Sequence, residues 1–190
     1  MKKRVFLLSM LLMPLVALAT EVASPNGNIK VKFYLDGGGR PMYEMSYKGQ
    51  PVVLPSYLGL ELAKDKHASK GMNETDLMEH FQMKKEETKE FDETWQPVWG
   101  ETRDIRNHYV EYAATLLQQR ERRKMVIRFR VYDDGIGLRY EFPQQQELNY
   151  FLIKEEHTEF AMTGDHTAWW LPGDYESKIG RAVQQECRDR

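Results

Sequence analysis

The feature that most constrains the fold of this chain is an alternation of apolar and polar side chains with a period of two. In residues 29–35 (IKVKFYL), apolar side chains occupy every second position, with lysine or tyrosine between them. Residues 125–131 (MVIRFRV) repeat the pattern, with arginine at two of the three intervening positions. Because successive side chains of a strand point to opposite faces, this period predicts strands with one face buried.

Turn sequences separate further segments of this kind, notably DGGGRP, KGQP and DDGIG. We expect additional strands at Met42 to Tyr47, Val52 to Leu62, Tyr109 to Leu117, Leu138 to Phe142, Tyr150 to Glu155 and His157 to Met162. Only Leu77 to Glu90 hints at a helix, and its charged middle favours a loop or a short exposed strand. Many strands, regular turns and almost no helix predict an all-β fold, a large antiparallel β-sandwich.

The first 19 residues have the organisation of a secretory signal peptide. A basic start (KKR) precedes an apolar run from Val5 to Leu18 and a small-x-small exit at Ala17 and Ala19. The alternative, a membrane anchor, needs about 20 apolar residues, and this run is shorter. We therefore expect a secreted, periplasmic protein with no membrane span after cleavage.

Charge and cysteine content exclude several classes of protein. Loss of the three positive charges of the leader changes the net charge from −2 to −5. Such an acidic domain is not expected to bind nucleic acid, which selects clustered lysine and arginine. One basic cluster stands at a predicted hairpin turn and is expected to be solvated: Arg120, Arg122, Arg123 and Lys124. The single Cys187 excludes an internal disulfide.

Motifs that would identify a catalyst are missing from the sequence. It contains no glycine-rich phosphate loop, no zinc-ligand spacing and no nucleophile elbow. For His108 and His166 we favour a structural or surface role over acid–base catalysis. The carboxylates that might pair are Glu101, Asp104, Glu111 and Glu141.

Tryptophans give a stronger signal, at positions 95, 99, 169 and 170. In secreted proteins, aromatic rings beside carboxylates and amides stack on sugars. We favour packing in the core or against a neighbouring domain, with direct sugar contact as the alternative.

Three long blocks carry a resemblance to a known family. They are WQPVWGETRDIRNHYVE, RFRVYDDGIGLRYEFPQQ and EEHTEFAMTGDHTAWWLPGDYES, preceded by the hairpin SPNGNIKVKFYLDGGGRPMYEMSYKGQPVV. In order and spacing, residues 20–177 resemble the amino-terminal domain of glycoside hydrolase family 97, which comprises secreted alpha-glucosidases and alpha-galactosidases. The resemblance implies a sandwich similar to galactose mutarotases, followed by a (β/α)8 barrel that carries the catalytic carboxylates. It also implies alpha-linked glucosides or galactosides as the carbohydrate partner.

Within these blocks, the resemblance places one group of residues in contact with carbohydrate or with the barrel. The group comprises Trp99, Glu101, Arg106, Asn107, His108, Trp169, Trp170 and Asp174. We assign no catalytic residue to this chain, because the family's catalytic pair lies in the barrel. The alternative functions are an independent carbohydrate-binding module and a mutarotase-like enzyme that pairs His108 with Glu111 or Glu141.

The sequence departs from the family in residues 178–190. The family continues here with a glutamate that helps bind calcium in the active site, whereas Ile179 stands at that position. We therefore carry over no metal ligand and expect no cofactor in this chain alone, although the resemblance implies calcium in the full-length enzyme. The atypical tail leads us to expect a truncation or a frameshift before the barrel.

Overall fold

A computed structural model describes residues 19–63 and 76–167 of the chain. Within these ranges the chain forms strands joined by turns and contains no helix, so no described helix is available to cross a membrane. The strands are β1 (Thr20–Ala23), β2 (Ile29–Leu35), β3 (Pro41–Tyr47), β4 (Gln50–Tyr57), β5 (Leu60–Leu62), β6 (Asp76–Leu77), β7 (Phe81–Trp95), β8 (Ile105–Gln118), β9 (Arg123–Val131), β10 (Ile136–Glu141) and β11 (Ile153–Glu156).

All strand pairs in the described residues are antiparallel and form three sheets. The first has the order β1-β2-β3-β4, the second β10-β9-β8-β7, and the small third sheet β11-β5-β6. Short turns connect most neighbours, as the glycine-rich turn sequences predict. The predicted all-β antiparallel sandwich is therefore confirmed.

The core lies between the two four-stranded sheets and is centred on aromatic rings. Phe33 of β2 lies 5.9 Å from both Tyr112 of β8 and Phe129 of β9, measured between ring centroids. Tyr43 of β3 lies 5.8 Å from Phe129. These contacts join the two sheets directly, and burial of their apolar area is the main source of stability in a fold without disulfides.

The strand predictions succeed where alternation is clear and fail where it is absent. Strand β2 has the predicted bounds, and its apolar side chains face the core. The expectation of a loop or short strand at Leu77 to Glu90 is wrong, because β7 runs for 15 residues. Residues 157–162 pair with residues 53–59 through individual hydrogen bonds and one bridge, rather than as a regular strand.

The basic cluster at the β8–β9 turn is not uniformly solvated. Arg123 is fully buried, and its guanidinium donates hydrogen bonds to Gln118 Oε1 at 2.9 Å and to the carbonyl oxygen of Asp76 at 2.9 Å. The prediction of a solvated turn is therefore wrong for this arginine. A buried charge needs such partners, and here they fasten the turn to β6.

Strands β7 and β8 extend beyond the rest of their sheet. β9 pairs with β8 only from Val110 to Gln118, whereas β7 pairs with β8 as far as Trp95 and Ile105. The part beyond β9 is a two-stranded hairpin made of residues 90–95, the connecting loop 96–104, and residues 105–109. We call this hairpin the ribbon. It carries five of the eight predicted site residues.

Candidate functional site

The tip of the ribbon exposes large apolar side chains to solvent. Trp99 is 89% exposed and Val98 is fully exposed, and both belong to the connecting loop. Trp95, at the end of β7, is half-exposed. Clustered exposure of apolar side chains on one element is typical of a surface that contacts a ligand or another protein surface.

One face of the ribbon carries two polar side-chain pairs between its strands. The Arg106 guanidinium donates to both carboxylate oxygens of Asp92, at 2.7 and 2.6 Å. His108 Nε2 lies 2.8 Å from Glu90 Oε1. Arg106 holds the pKa of Asp92 below its ordinary value, and Asp92 raises the pKa of Arg106. This fork fixes the orientation of the guanidinium, because the bidentate geometry permits few rotamers.

The opposite face combines an amide–carboxylate pair with stacked rings. Asn107 Nδ2 donates to Glu93 Oε1 at 2.8 Å, directly across the strands. Phe91 stacks on Tyr109 with ring centroids 5.1 Å apart, and Arg130 lies over the same tyrosine at 4.7 Å. The Tyr109 ring is buried, and these contacts help to enclose it.

A network of arginines and glutamates continues from this face across the sheet. Arg128 binds Glu111 at 2.5 Å and Glu141 at 2.8 Å, and Arg130 binds Glu111 at 2.9 Å. Arg128 lowers the pKa of Glu141. Both glutamates are thus bound by arginine, and the lowered pKa of Glu141 makes it unsuited to general acid catalysis.

The geometry also separates the residues of the mutarotase hypothesis. The side chains of His108 and Glu111 point to opposite faces of the sheet, because side chains alternate along a strand and these two residues are three positions apart. His108 faces Glu90, whereas Glu111 and Glu141 bind Arg128 on the other face. The proposed acid–base pairs of His108 with Glu111 or Glu141 are therefore wrong.

The structure brings together only some of the predicted site residues. Arg106 and His108 share one face of the ribbon, Asn107 lies on the other, and Trp99 and Glu101 belong to the tip loop. The prediction that Trp99 packs in the core is wrong, since its ring is exposed. A contact of this ring with another domain or with a sugar stays a prediction. Three predicted residues lie outside the described ranges: Trp169, Trp170 and Asp174.

Sequence reasoning missed the acidic partners on β7, which are Glu90, Asp92 and Glu93. The available signal was the run of acids along β7: once the strands pair in antiparallel register, Glu93 lies directly opposite Asn107, and Asp92 and Glu90 lie diagonal to Arg106 and His108. The loop-or-short-strand interpretation of this segment concealed that match.

The calcium site implied by the resemblance does not fit the residue present at its position. Ile179 lies outside the described ranges, and an isoleucine side chain has no oxygen with which to bind calcium. Glu176, the nearest carboxylate in sequence, also lies outside them. We therefore assign no calcium ligand to this chain.

Comparisons with known proteins agree with the architecture. Residues 22–188 match the family model described as glycosyl-hydrolase 97 N-terminal. Two similar solved structures are a glycoside hydrolase family 97 enzyme from Pseudoalteromonas sp. strain K8 in complex with panose (as the E480Q variant) and with acarbose. In each case sequence identity is 33% and the TM-score is 0.69, and the match covers 81% of this chain and 22% of the other.

A third similar structure is a beta-arabinopyranosidase, with a TM-score of 0.64 and 21% identity over 75% of this chain and 21% of the other. At that identity the likeness concerns the fold alone. The chain thus spans about a fifth of the length of each of these solved enzymes.

Proposed function

Because the chain belongs to the family of glycosyl-hydrolase 97 N-terminal domains, we propose that it serves as the carbohydrate-associated sandwich of a secreted, periplasmic alpha-glycosidase. In this proposal the ribbon contacts a catalytic (β/α)8 barrel and helps to form the wall of its sugar site. The sandwich itself carries no catalytic residue. Substrates are alpha-linked glucosides or galactosides.

The observation that carries the proposal is the exposed tip of the ribbon. Val98 contributes no buried area to the sandwich and Trp99 contributes little, so the stability of the described residues does not account for them. Tryptophan is enriched at the centres of protein interfaces because its ring combines a large apolar area with one hydrogen-bond donor. A paired hairpin with such a tip suits a contact with a second domain.

The relatives support the carbohydrate part of the proposal. The family 97 enzyme with which this chain shares 33% identity was solved with panose and with acarbose, and most of its length lies outside the match. Glycoside hydrolysis needs two positioned carboxyl groups. The paired carboxylates of the ribbon are instead bound by Arg106 and His108, and those of the adjacent network by arginine.

Three measurements on the purified chain test the proposal. We expect no turnover of p-nitrophenyl alpha-glucoside and no saturable quenching of tryptophan fluorescence by maltose or galactose, because part of a composite site offers too few contacts to hold a sugar. We also expect a hydrophobic dye to bind at the tip. Dye fluorescence should fall several-fold in Trp99→Ala and Val98→Asp, whereas Tyr150→Ala, a half-exposed ring outside the ribbon, serves as the control.

The alternatives predict different results. Saturable quenching at millimolar sugar that disappears in Trp99→Ala would establish an independent carbohydrate-binding module. Dye binding that is equal in Trp99→Ala and Tyr150→Ala would exclude the tip as a contact surface. Turnover abolished by a substitution in this chain would contradict the assignment of catalysis to the barrel.

A further inference from the structure

Away from the ribbon, the small sheet gathers one imidazole and two carboxylates. Glu61 of β5 lies directly opposite Glu155 of β11 in the antiparallel register. His157 follows Glu155 by two residues, and its backbone N–H donates to the carbonyl oxygen of Gly59 at 2.9 Å, which continues the pairing of the two segments. All three side chains therefore project from the same face.

The distances between their ligand atoms leave space at the centre. His157 Nε2 lies 3.9 Å from Glu61 Oε2 and 4.0 Å from Glu155 Oε2, and the three ligand atoms lie within 4.8 Å of one another. These separations are too long for hydrogen bonds. Ligand atoms at about 2.0–2.2 Å from a tetrahedral ion stand roughly 3.3–3.6 Å apart. Small rotations of these side chains, of which Glu155 is exposed, bring the atoms to that spacing.

The one neighbouring lysine does not fully neutralise the two carboxylates of the cluster. Like charges directly opposite each other on antiparallel strands are destabilising, which applies to Glu61 and Glu155. Lys154 binds Glu61 Oε1 at 2.7 Å and so neutralises one side of the pair. The other oxygen, Oε2, is the one nearest His157 and remains available to a second cation.

We propose that Glu61, Glu155 and His157 bind a divalent metal ion of the zinc class. An imidazole with two carboxylates suits zinc and related transition metals, whereas calcium prefers an all-oxygen shell. Three protein ligands leave a fourth position for water or a small ligand. Glu155 and His157 also border an open cavity of about 330 Å³, which gives an ion and a water molecule access from solvent.

Binding at this position has a structural consequence that is separate from the contact proposed for the ribbon. The ion connects β11 to β5, which are otherwise joined by a short, irregular pairing. A ligand that binds only the folded state raises the unfolding temperature. Zinc should therefore stabilise the protein without any sugar present.

Titration calorimetry with Zn²⁺ tests this site on the purified chain. The background variant is Cys187→Ser, so that the single thiol does not bind zinc. We expect one equivalent to bind, a higher unfolding temperature, and no competition from excess Ca²⁺. His157→Gln and Glu155→Gln should each weaken binding at least about tenfold. His166→Gln, which alters an exposed histidine outside the cluster, should change nothing.

Circular dichroism distinguishes a lost ligand from a lost fold, and both cluster variants should keep the wild-type spectrum because neither side chain belongs to the core. Absence of zinc binding by the folded background protein would overturn the proposal. So would binding that His157→Gln leaves intact, or that His166→Gln weakens equally, since the ion would then be held elsewhere or adventitiously.

Discussion

Replacement of Phe129 by alanine tests whether the aromatic centre holds the two sheets together. The Phe129 ring has no solvent exposure and lies 5.9 Å from Phe33 and 5.8 Å from Tyr43, both on the opposite sheet. Its removal costs transfer free energy and leaves a cavity that the two sheets, fixed by their own hydrogen bonds, close only in part. Phenylalanine-to-alanine changes of this kind cost about 3–5 kcal/mol. That is a large share of a typical total of about 5–15 kcal/mol.

The assay is equilibrium unfolding in urea, followed by circular dichroism. For a slope of about 2 kcal/mol per molar urea, the loss lowers the midpoint by roughly 2 M. The slope itself should be unchanged, because the substitution alters the native packing and not the area exposed on unfolding.

Phe160 provides the matched control. Its ring also contacts Tyr43, edge-on at 6.3 Å, but it is 60% exposed. Phe160→Ala should therefore cost only about 1 kcal/mol, close to the value of one exposed aromatic pair. Equal losses for Phe129→Ala and Phe160→Ala would refute the assignment of the core to the space between the two sheets.

Two further predictions concern the backbone and a charge. Gly39→Ala should lower the free energy of unfolding by more than about 1 kcal/mol, because φ is +74° and a Cβ would lie 2.7 Å from the carbonyl oxygen of Phe81. Gly37→Ala, where the added Cβ meets open space, should have little effect. Thermal melts of the two variants measure the difference. Glu141→Gln should destabilise the protein at neutral pH, with a difference from wild type that shrinks as pH falls below the ordinary carboxyl value. Arg128 lowers the pKa of Glu141 in the folded state, so the stabilisation is present above the unfolded pKa and is lost as the folded carboxylate protonates. A pH-independent difference in urea midpoints would contradict this linkage.

The sequence predicts the strands whose two faces have different surroundings. Residues 29–35 alternate because one face of β2 meets the core and the other meets water. Strand β7 has no such contrast beyond its first few residues, since both of its faces are exposed. Without a buried face there is no selection for period two, and its run of charges resembles a loop.

The candidate site was less predictable because its partners are distant in the chain. Arg106 and Asp92 are 14 positions apart and His108 and Glu90 are 18 apart, and they meet only when β7 and β8 pair in one register. The buried Arg123 illustrates the same limit. Composition predicts a solvated turn, whereas a carbonyl group of β6, 47 positions away, accepts its hydrogen bond.

The polar pairs of the ribbon and its apolar tip have different physical roles. Exposed ion pairs such as Arg106–Asp92 contribute little to stability, since solvent screens them and ordering the side chains costs entropy. They do hold the two strands in one arrangement, which would lower the entropy cost of the contact that we propose at the tip. Trp99 then presents its ring from a hairpin that is already ordered. A role in folding would place that ring against the core, whereas its 89% exposure is what the proposed contact with a second domain requires.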